Sequence, residues 1–357
     1  MLRILMCSSS LRVKGGMVSV LKNYLNYSNW EGVKITYVPT HIEANKIALM
    51  IYFIIAYIHV IWLAVWKRID IAHLHVAERG SFYRKAILLQ TLKKFGIKVI
   101  LHHHGAEFEL FYDGLSSKRK AYVNKILRMA DLNIVLSQRL VPMIRQKSPE
   151  SKVEVLYNAV NVPSVNPYSV TSSFVLFLGR LGKRKGTYDL LEAIKMIDNE
   201  IPKEVKFLLC GDGEVDEVKN KVDELGIKHR IAHIGWIDGR QKEVFLSKSM
   251  INVLPSYNEG LPMTILETMA KGIPNISTSI ASIPEVLHNG ENGFLITPGD
   301  IDALCECLLN LINNEQLRLE FSQKSYDLVN RRFSIDVNIK KLESIYTKLS
   351  EYNSLRL

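Results

Sequence analysis

Short apolar runs alternate with amphipathic stretches along nearly all of the 357 residues. Strand-like runs fall at 3–8, 34–39, 69–75, 98–103, 133–136 and 153–156, with helical patterns between them. At 158–173 the composition turns to Asn, Pro, Val and Ser, which suits a linker. A second alternation follows, with strand-like runs at 174–179, 205–210, 231–234, 250–254, 274–277 and 293–296, and the tail from 335 to 352 reads as a helix. Strands alternating with helices predict an α/β fold with parallel sheets. The length exceeds what one ordinary core fills and suits two domains, 1–165 and 166–335, followed by a terminal helix at 336–357.

One segment departs from the alternation. Residues 47–66 (IALMIYFIIAYIHVIWLAVW) carry no formally charged side chain other than a titratable His59, and Lys46 and Lys67-Arg68 bound them. Twenty apolar residues are enough to cross a bilayer. A crossing would put the strands before and after it on opposite sides of a membrane, although they should share one sheet. Two further readings stand beside it. The segment is a helix buried on the sheet, or its outer face sits in a membrane interface with Trp62, Trp66, Lys67 and Arg68 at the edge.

Charge sharpens the division into halves. Residues 1–165 hold 23 Lys+Arg and 10 Asp+Glu, a net of +13, while the remainder holds 23 and 26, a net of −3, which together give the chain's +10. Lys118, Arg119, Lys120, Lys125 and Arg128 form the densest basic run. Such a half suits an anionic lipid surface or a phosphorylated acceptor. Without a zinc finger or an RNA-recognition motif, nucleic acid is not the expected partner. Four cysteines make no disulfide framework and fit a cytosolic protein. The opening MLRILMCSSS reads as a first strand rather than a signal peptide.

The densest chemistry lies at 254–293, LPSYNEGLPMTILETMAKGIPNISTSIASIPEVLHNGENG. A strand breaks at Pro255, a polar loop follows, and a helix opens near Pro262. Glu259 sits in the loop, and Glu267 comes eight positions later in the helix. Gly260 lets the backbone approach a ligand closely. Pro262 suits a first helical position, so the N–H groups of Met263, Thr264 and Ile265 can meet an anion. A phosphate seat flanked by two carboxylates fits a nucleotide sugar.

This stretch resembles the E-x7-E signature of retaining glycosyltransferases, framed here by Pro255-Ser256, Glu259-Gly260-x-Pro262, Leu266-Glu267-x-Met269-Ala270-x-Gly272-x-Pro274, Pro284-Glu285 and Asn292-Gly293. It is similar to glycosyltransferase family 4. The resemblance implies a GT-B fold: two Rossmann-like, doubly wound domains facing a cleft, with the C-terminal helix crossing back to the first domain. It implies that Glu259 holds hydroxyls of the donor sugar and Glu267 those of the ribose. Gly260, Leu261, Pro262, Met263 and Thr264 then line the donor seat. Gly179-Arg180-Leu181 with Lys185-Gly186 resembles the family's phosphate-binding GRL…KG motif, so Arg180 and Lys185 face the diphosphate. Cations fixed there stabilise charge that grows on the departing phosphate. Lys183 and Arg184 are expected to face solvent. Gly211 and Gly235 match later glycine turns of the same donor half.

In the first half, the resemblance assigns Gly15-Gly16, after the first strand, to the phosphate and acceptor side, and His104, in His102-His103-His104-Gly105, to the donor sugar. The glycine pair is no G-x-G-x-x-G, which disfavours hydride transfer. Along a strand His102 and His104 share a face while His103 points away. With no close Asp or Cys to complete a set, no metal site is expected, and no cofactor beyond the donor. A UDP-sugar is favoured over a GDP-sugar. The acceptor is expected to be a glycan on a polyprenyl diphosphate, and the enzyme cytoplasmic and peripheral on the inner membrane face. Glu259→Ala is expected to abolish transfer and leave the fold unchanged. A nucleotide-sugar epimerase and a non-catalytic membrane partner are the alternatives.

Overall fold

A computed structural model describes residues 1–351; Tyr352, the last residue of the anticipated tail helix, lies outside the described residues. The chain forms two units. The first comprises residues 1–159 and 335–357, and the second residues 160–334. The division after Ala159 falls inside the linker-like stretch at 158–173, a few residues ahead of the expected boundary at 165/166.

The first unit holds a sheet of β1 (Leu2–Ser8), β2 (Val33–Pro39), β3 (Ile71–Val76), β4 (Lys98–His103), β5 (Leu132–Val135) and β6 (Val153–Val155). All are parallel, in the order β2-β1-β3-β4-β5-β6. The second holds β7 (Phe174–Leu178), β8 (Lys206–Cys210), β9 (Ile231–Gly235), β10 (Ser249–Leu254), β11 (Asn275–Thr278) and β12 (Gly293–Ile296). These too are parallel, in the order β12-β11-β10-β7-β8-β9. Every strand anticipated from the apolar runs is present, with ends moved by a residue or two. The run in β10 is buried along its whole length, as a parallel strand covered on both faces requires.

Topology decides where the helices go. From β1 the chain steps one way to β2, then back across β1 to β3 and onward to β4 and β5. Right-handed crossovers therefore place helix Gly16–Asn26 on one face, and helices Lys46–Trp66, Gly80–Lys94 and Ser117–Met129 on the other. The contacts agree: Lys46–Trp66 packs on Gly80–Lys94, which packs on Ser117–Met129. The C-terminal helix Ile335–Glu351 packs on Gly16–Asn26, and its Asn338 Nδ2 donates to the Tyr157 carbonyl at 2.6 Å.

Helix Lys46–Trp66 overturns the buried reading of its sequence. Asn45 caps it by accepting from the Ala48 N–H at 2.9 Å. Ala56, Val60 and Leu63 are buried, and the Tyr57 hydroxyl meets Thr91 Oγ1 at 2.9 Å. The opposite face is apolar and open: Ile47 is 69% exposed, Ile58 60% and Trp66 71%, with Ile51, Ile54 and Trp62 between them. Only 17% of its most apolar stretch is buried. Yet β2 and β3, the strands it joins, both pair with β1. The helix is tied along the sheet and cannot cross a bilayer.

Candidate functional site

In the second unit, β7 lies between β8 and β10, so the chain turns in opposite directions from its two sides. Beyond the carboxyl ends of such strands an open α/β sheet forms a crevice. The loops that follow β7 and β10 hold the anticipated donor residues.

The loop after β7 is built on close backbone approaches. Leu181 N–H donates to the Asp212 carbonyl at 2.6 Å. A side chain at Gly211 would put its Cβ 1.8 Å from the Gly179 carbonyl oxygen, so only glycine fits there. Gly186 takes φ 70° with a Cβ position 2.1 Å from the Pro255 oxygen, which binds this loop to the one after β10. Lys183 and Arg184 are exposed, and the Tyr257 N–H donates to the Arg184 carbonyl at 3.0 Å. Arg180 projects outward, its side chain 65% exposed, with a guanidinium nitrogen 3.9 Å from Asp212.

Lys185 turns inward instead. Its ammonium pairs with Glu259 Oε1, which also accepts from the Ser256 hydroxyl at 2.8 Å. Glu259 is 8% exposed. Burial pushes the Lys185 ammonium below its ordinary value, and Glu259 holds it up. Ser256, unremarked in the sequence beyond the Pro-Ser frame, thus fixes the carboxylate from a second side.

Helix Met263–Ala270 begins one residue later than the sequence suggested. Pro262 is its N-cap, extended at ψ 125°, and Met263 is the first helical residue. No side chain caps this end. Gly260, Leu261 and Met263 are buried, and Thr264 Oγ1 donates to the Leu178 carbonyl at 2.9 Å, tying the helix to the end of β7. Glu267 lies one turn on and pairs with Lys242 Nζ at 2.6 Å. Lys242, on helix Gly239–Ser247, was missed because nothing in its own stretch marks it. Gly235 ends β9 at φ 129°.

The first unit places Gly15 at φ 131° as N-cap of helix Gly16–Asn26, with Gly16 its first residue. His104 follows β4, and its Nε2 meets His75 Nδ1 at 2.8 Å. His102 Nδ1 meets His73 Nε2 at 3.0 Å, and His73 Nδ1 meets the Tyr346 hydroxyl at 2.6 Å. His103 points the other way, to Asn133 Oδ1 at 3.0 Å. The sequence reading overlooked His73 and His75. Their spacing repeats that of His102 and His104 on the adjacent, in-register strand, and this was the available signal.

Ligand atoms of His73, His75 and His102 lie within 4.8 Å of one another. The rings of His73 and His75 stack 4.6 Å apart at 4°. An imidazole binds a metal in its own ring plane, and two stacked planes do not share one ion. The array therefore fits a neutral, hydrogen-bonded ladder better than a metal centre. Burial pushes His73 and His104 down to about 3 and His103 to about 4, and holds His75 and His102 well below 6.5.

Comparisons with known proteins bear on both halves. Residues 29–163 match Glycosyltransferase Family 4, and residues 163–328 match Glycosyl transferases group 1. The UDP-Gal:alpha-D-GlcNAc-diphosphoundecaprenol alpha-1,3-galactosyltransferase of Escherichia coli is 26% identical over 78% of this chain and 76% of its own. Sucrose-phosphate synthase from Thermosynechococcus elongatus superposes with a TM-score of 0.78 at 18% identity, covering 98% of this chain and 99% of that one. Anabaena HepE, in complex with UDP and glucose, superposes at 0.74 and 18% identity, covering 98% and 100%.

Two outcomes follow from the buried charges. Glu259→Ala would leave the Lys185 ammonium buried and unpaired, so the expectation of an unchanged fold is withdrawn. Urea denaturation should show a loss of about 3–5 kcal/mol, largely recovered in the Lys185→Met, Glu259→Leu pair; an unperturbed Glu259→Ala protein would mean that the pair is solvated. Acid acts on the first unit. Unfolded histidines bind protons below about pH 6.5, while the folded rings resist to about 3 or 4. Stability is therefore complete above that range and falls as pH drops, by up to about 1.4 kcal/mol per ring per pH unit. Denaturation at about pH 7.5 and about pH 5.5 should differ by several kcal/mol, and His103→Gln should reduce the difference. Equal stability at both would show that the folded rings accept protons freely.

Proposed function

We infer that this chain, a GT-B glycosyltransferase, moves a sugar with retention of anomeric configuration from a nucleotide diphosphate, a UDP-sugar before a GDP-sugar, to a hydroxyl of a lipid-linked glycan. The observation that carries this reading is the buried Lys185–Glu259 pair, held by Ser256 where the loops after β7 and β10 meet. A donor diphosphate offers Lys185 a second anion. As the ammonium turns to phosphate, the Glu259 carboxylate is freed for the hydroxyls of the sugar. Arg180 is exposed enough to swing from Asp212 to the same diphosphate. Glu267, steadied by Lys242, is assigned to the ribose, and the uncapped start of helix Met263–Ala270 to a phosphate oxygen. His104, Gly15 and Gly16 keep the sugar- and acceptor-side roles that the resemblance implies.

Chemically, the bond from the anomeric carbon to the diphosphate oxygen breaks, and its electron pair leaves with the nucleotide. The acceptor oxygen bonds to that carbon from the same face, and its proton passes to the departing phosphate. Lys185 and Arg180 stabilise the charge that develops, in place of a metal ion. Glu259 is not assigned as a covalent nucleophile, because a double displacement needs two carboxyls flanking the bond and Glu267 is committed to the ribose. Support for a carrier-linked acceptor comes from the E. coli relative, whose name specifies a diphosphoundecaprenol substrate. Support for a uridine nucleotide comes from that name and from the UDP held by HepE. Assembly of a bacterial surface polysaccharide at the cytoplasmic membrane face is the setting that suits such a carrier.

A panel of UDP- and GDP-sugars incubated with the protein and a membrane extract should release nucleoside diphosphate from one donor. Lys185→Ala should slow release by about 100-fold or more, as loss of one preorganised charge-stabilising group does, and Glu259→Gln should abolish transfer. The anomeric coupling in the product's proton spectrum should match that of the donor. A new nucleotide sugar without free diphosphate would identify an epimerase, and an inverted product would refute retention.

A further inference from the structure

We propose that the open face of helix Lys46–Trp66 lies flat in the interface of an anionic bilayer and is the surface by which this protein docks on its membrane. The inference rests on the membrane setting proposed for the transfer reaction and names the side chains that meet it. Four observations converge. The exposed apolar side chains follow helical spacing (Ile47, Ile51, Ile54, Ile58, Trp62, Trp66), so they form one stripe rather than scattered contacts. At 21 residues the stripe is about 30 Å long. It cannot stand upright in a bilayer, because β2 and β3 hold both its ends beside β1. Its ends are marked for an interface: Lys46 at one, and at the other two tryptophans, Lys67 and Arg68, with the Lys67 ammonium 5.5 Å from the centre of the Trp62 ring.

The fourth observation selects the occupant. Helix Ser117–Met129 lies on the same face of the sheet, with one helix between, and exposes Lys118, Arg119, Lys125 and Arg128. An apolar stripe beside a basic ridge matches a surface with anionic headgroups and an acyl layer beneath. A second copy of the chain matches poorly. It would bring one positive ridge against another.

Flotation of the full chain with vesicles of phosphatidylcholine alone, and of phosphatidylcholine with phosphatidylglycerol, tests this. The protein should float with the anionic vesicles. A fraction should remain bound in high salt, because salt screens the basic ridge and not the apolar stripe. Brominated lipid should quench tryptophan fluorescence, and Trp62→Phe with Trp66→Phe should remove most of that quenching. Ile51→Gln, Ile54→Gln and Ile58→Gln together should lower partitioning by about 100-fold or more, since each buried isoleucine contributes roughly tenfold. Their melting temperature and donor turnover in solution should be unchanged, the three side chains being exposed in the fold. Glu259→Gln should float like the parent, so a failed transfer reading and a failed docking reading are separable. The proposal is overturned if the parent floats with neither vesicle, if the triple variant binds as the parent does, or if the parent forms a concentration-dependent dimer that the triple variant dissolves.

Discussion

The constraint on which the rest depends is the parallel pairing of strands joined by right-handed crossovers. It forces every connection across a face of the sheet and brings every strand to the same edge with its carboxyl end. In the second unit that edge gathers the loops after β7 and β10, so Lys185 and Glu259, far apart in sequence, become partners. In the first it sets β3 beside β4 in register, so two pairs of alternating histidines form one stack. The same rule keeps an apolar helix on the surface that its composition alone would send into a membrane.

The two units handle buried polarity differently. Lys185 and Glu259 keep opposite charges and hold each other, with Ser256 as a third partner. Such a pair gives little net stability against a well-packed apolar substitute, while removing one member is costly. Its presence in a loop crevice is therefore better explained by what the charges do than by what they hold together. The histidines have no carboxylate in their hydrogen-bonded chain, and burial keeps them neutral. That neutrality leaves His104 with a lone pair or an N–H to share, according to its tautomer, rather than a positive charge.

Much of this was legible in the sequence, for identifiable reasons. The twelve strands could be read because a parallel strand buried on both faces is an uninterrupted apolar run closed by turn residues. The pair of glutamates could be found through the resemblance of the frame around them, in which Gly272 takes φ 67° with a Cβ position 2.0 Å from Asn166 Oδ1 and Gly293 leaves a Cβ only 2.4 Å from Leu287. What escaped notice is what depends on distant partners. Lys242 is one lysine among many until helix Gly239–Ser247 is set beside Glu267. Ser256 looks like a turn residue until its hydroxyl reaches Glu259. His73 and His75 gain meaning only once β3 and β4 are known to be neighbours. The start of helix Met263–Ala270 slipped by a residue because proline suits both the N-cap and the first turn.

Helix Lys46–Trp66 marks a different limit. Hydropathy records an aversion to water and nothing about which non-aqueous environment satisfies it. A core helix, an interfacial helix and a spanning helix of this length read alike when nearly every position is apolar. The discriminating information lies outside the segment, in the strands on either side of it. Because both pair with β1, spanning is forbidden; because only one narrow stripe of the helix meets the sheet and its neighbouring helix, burial is incomplete. Among the described residues nothing covers the remaining face, and the basic helix Ser117–Met129 lies on the same side of the sheet.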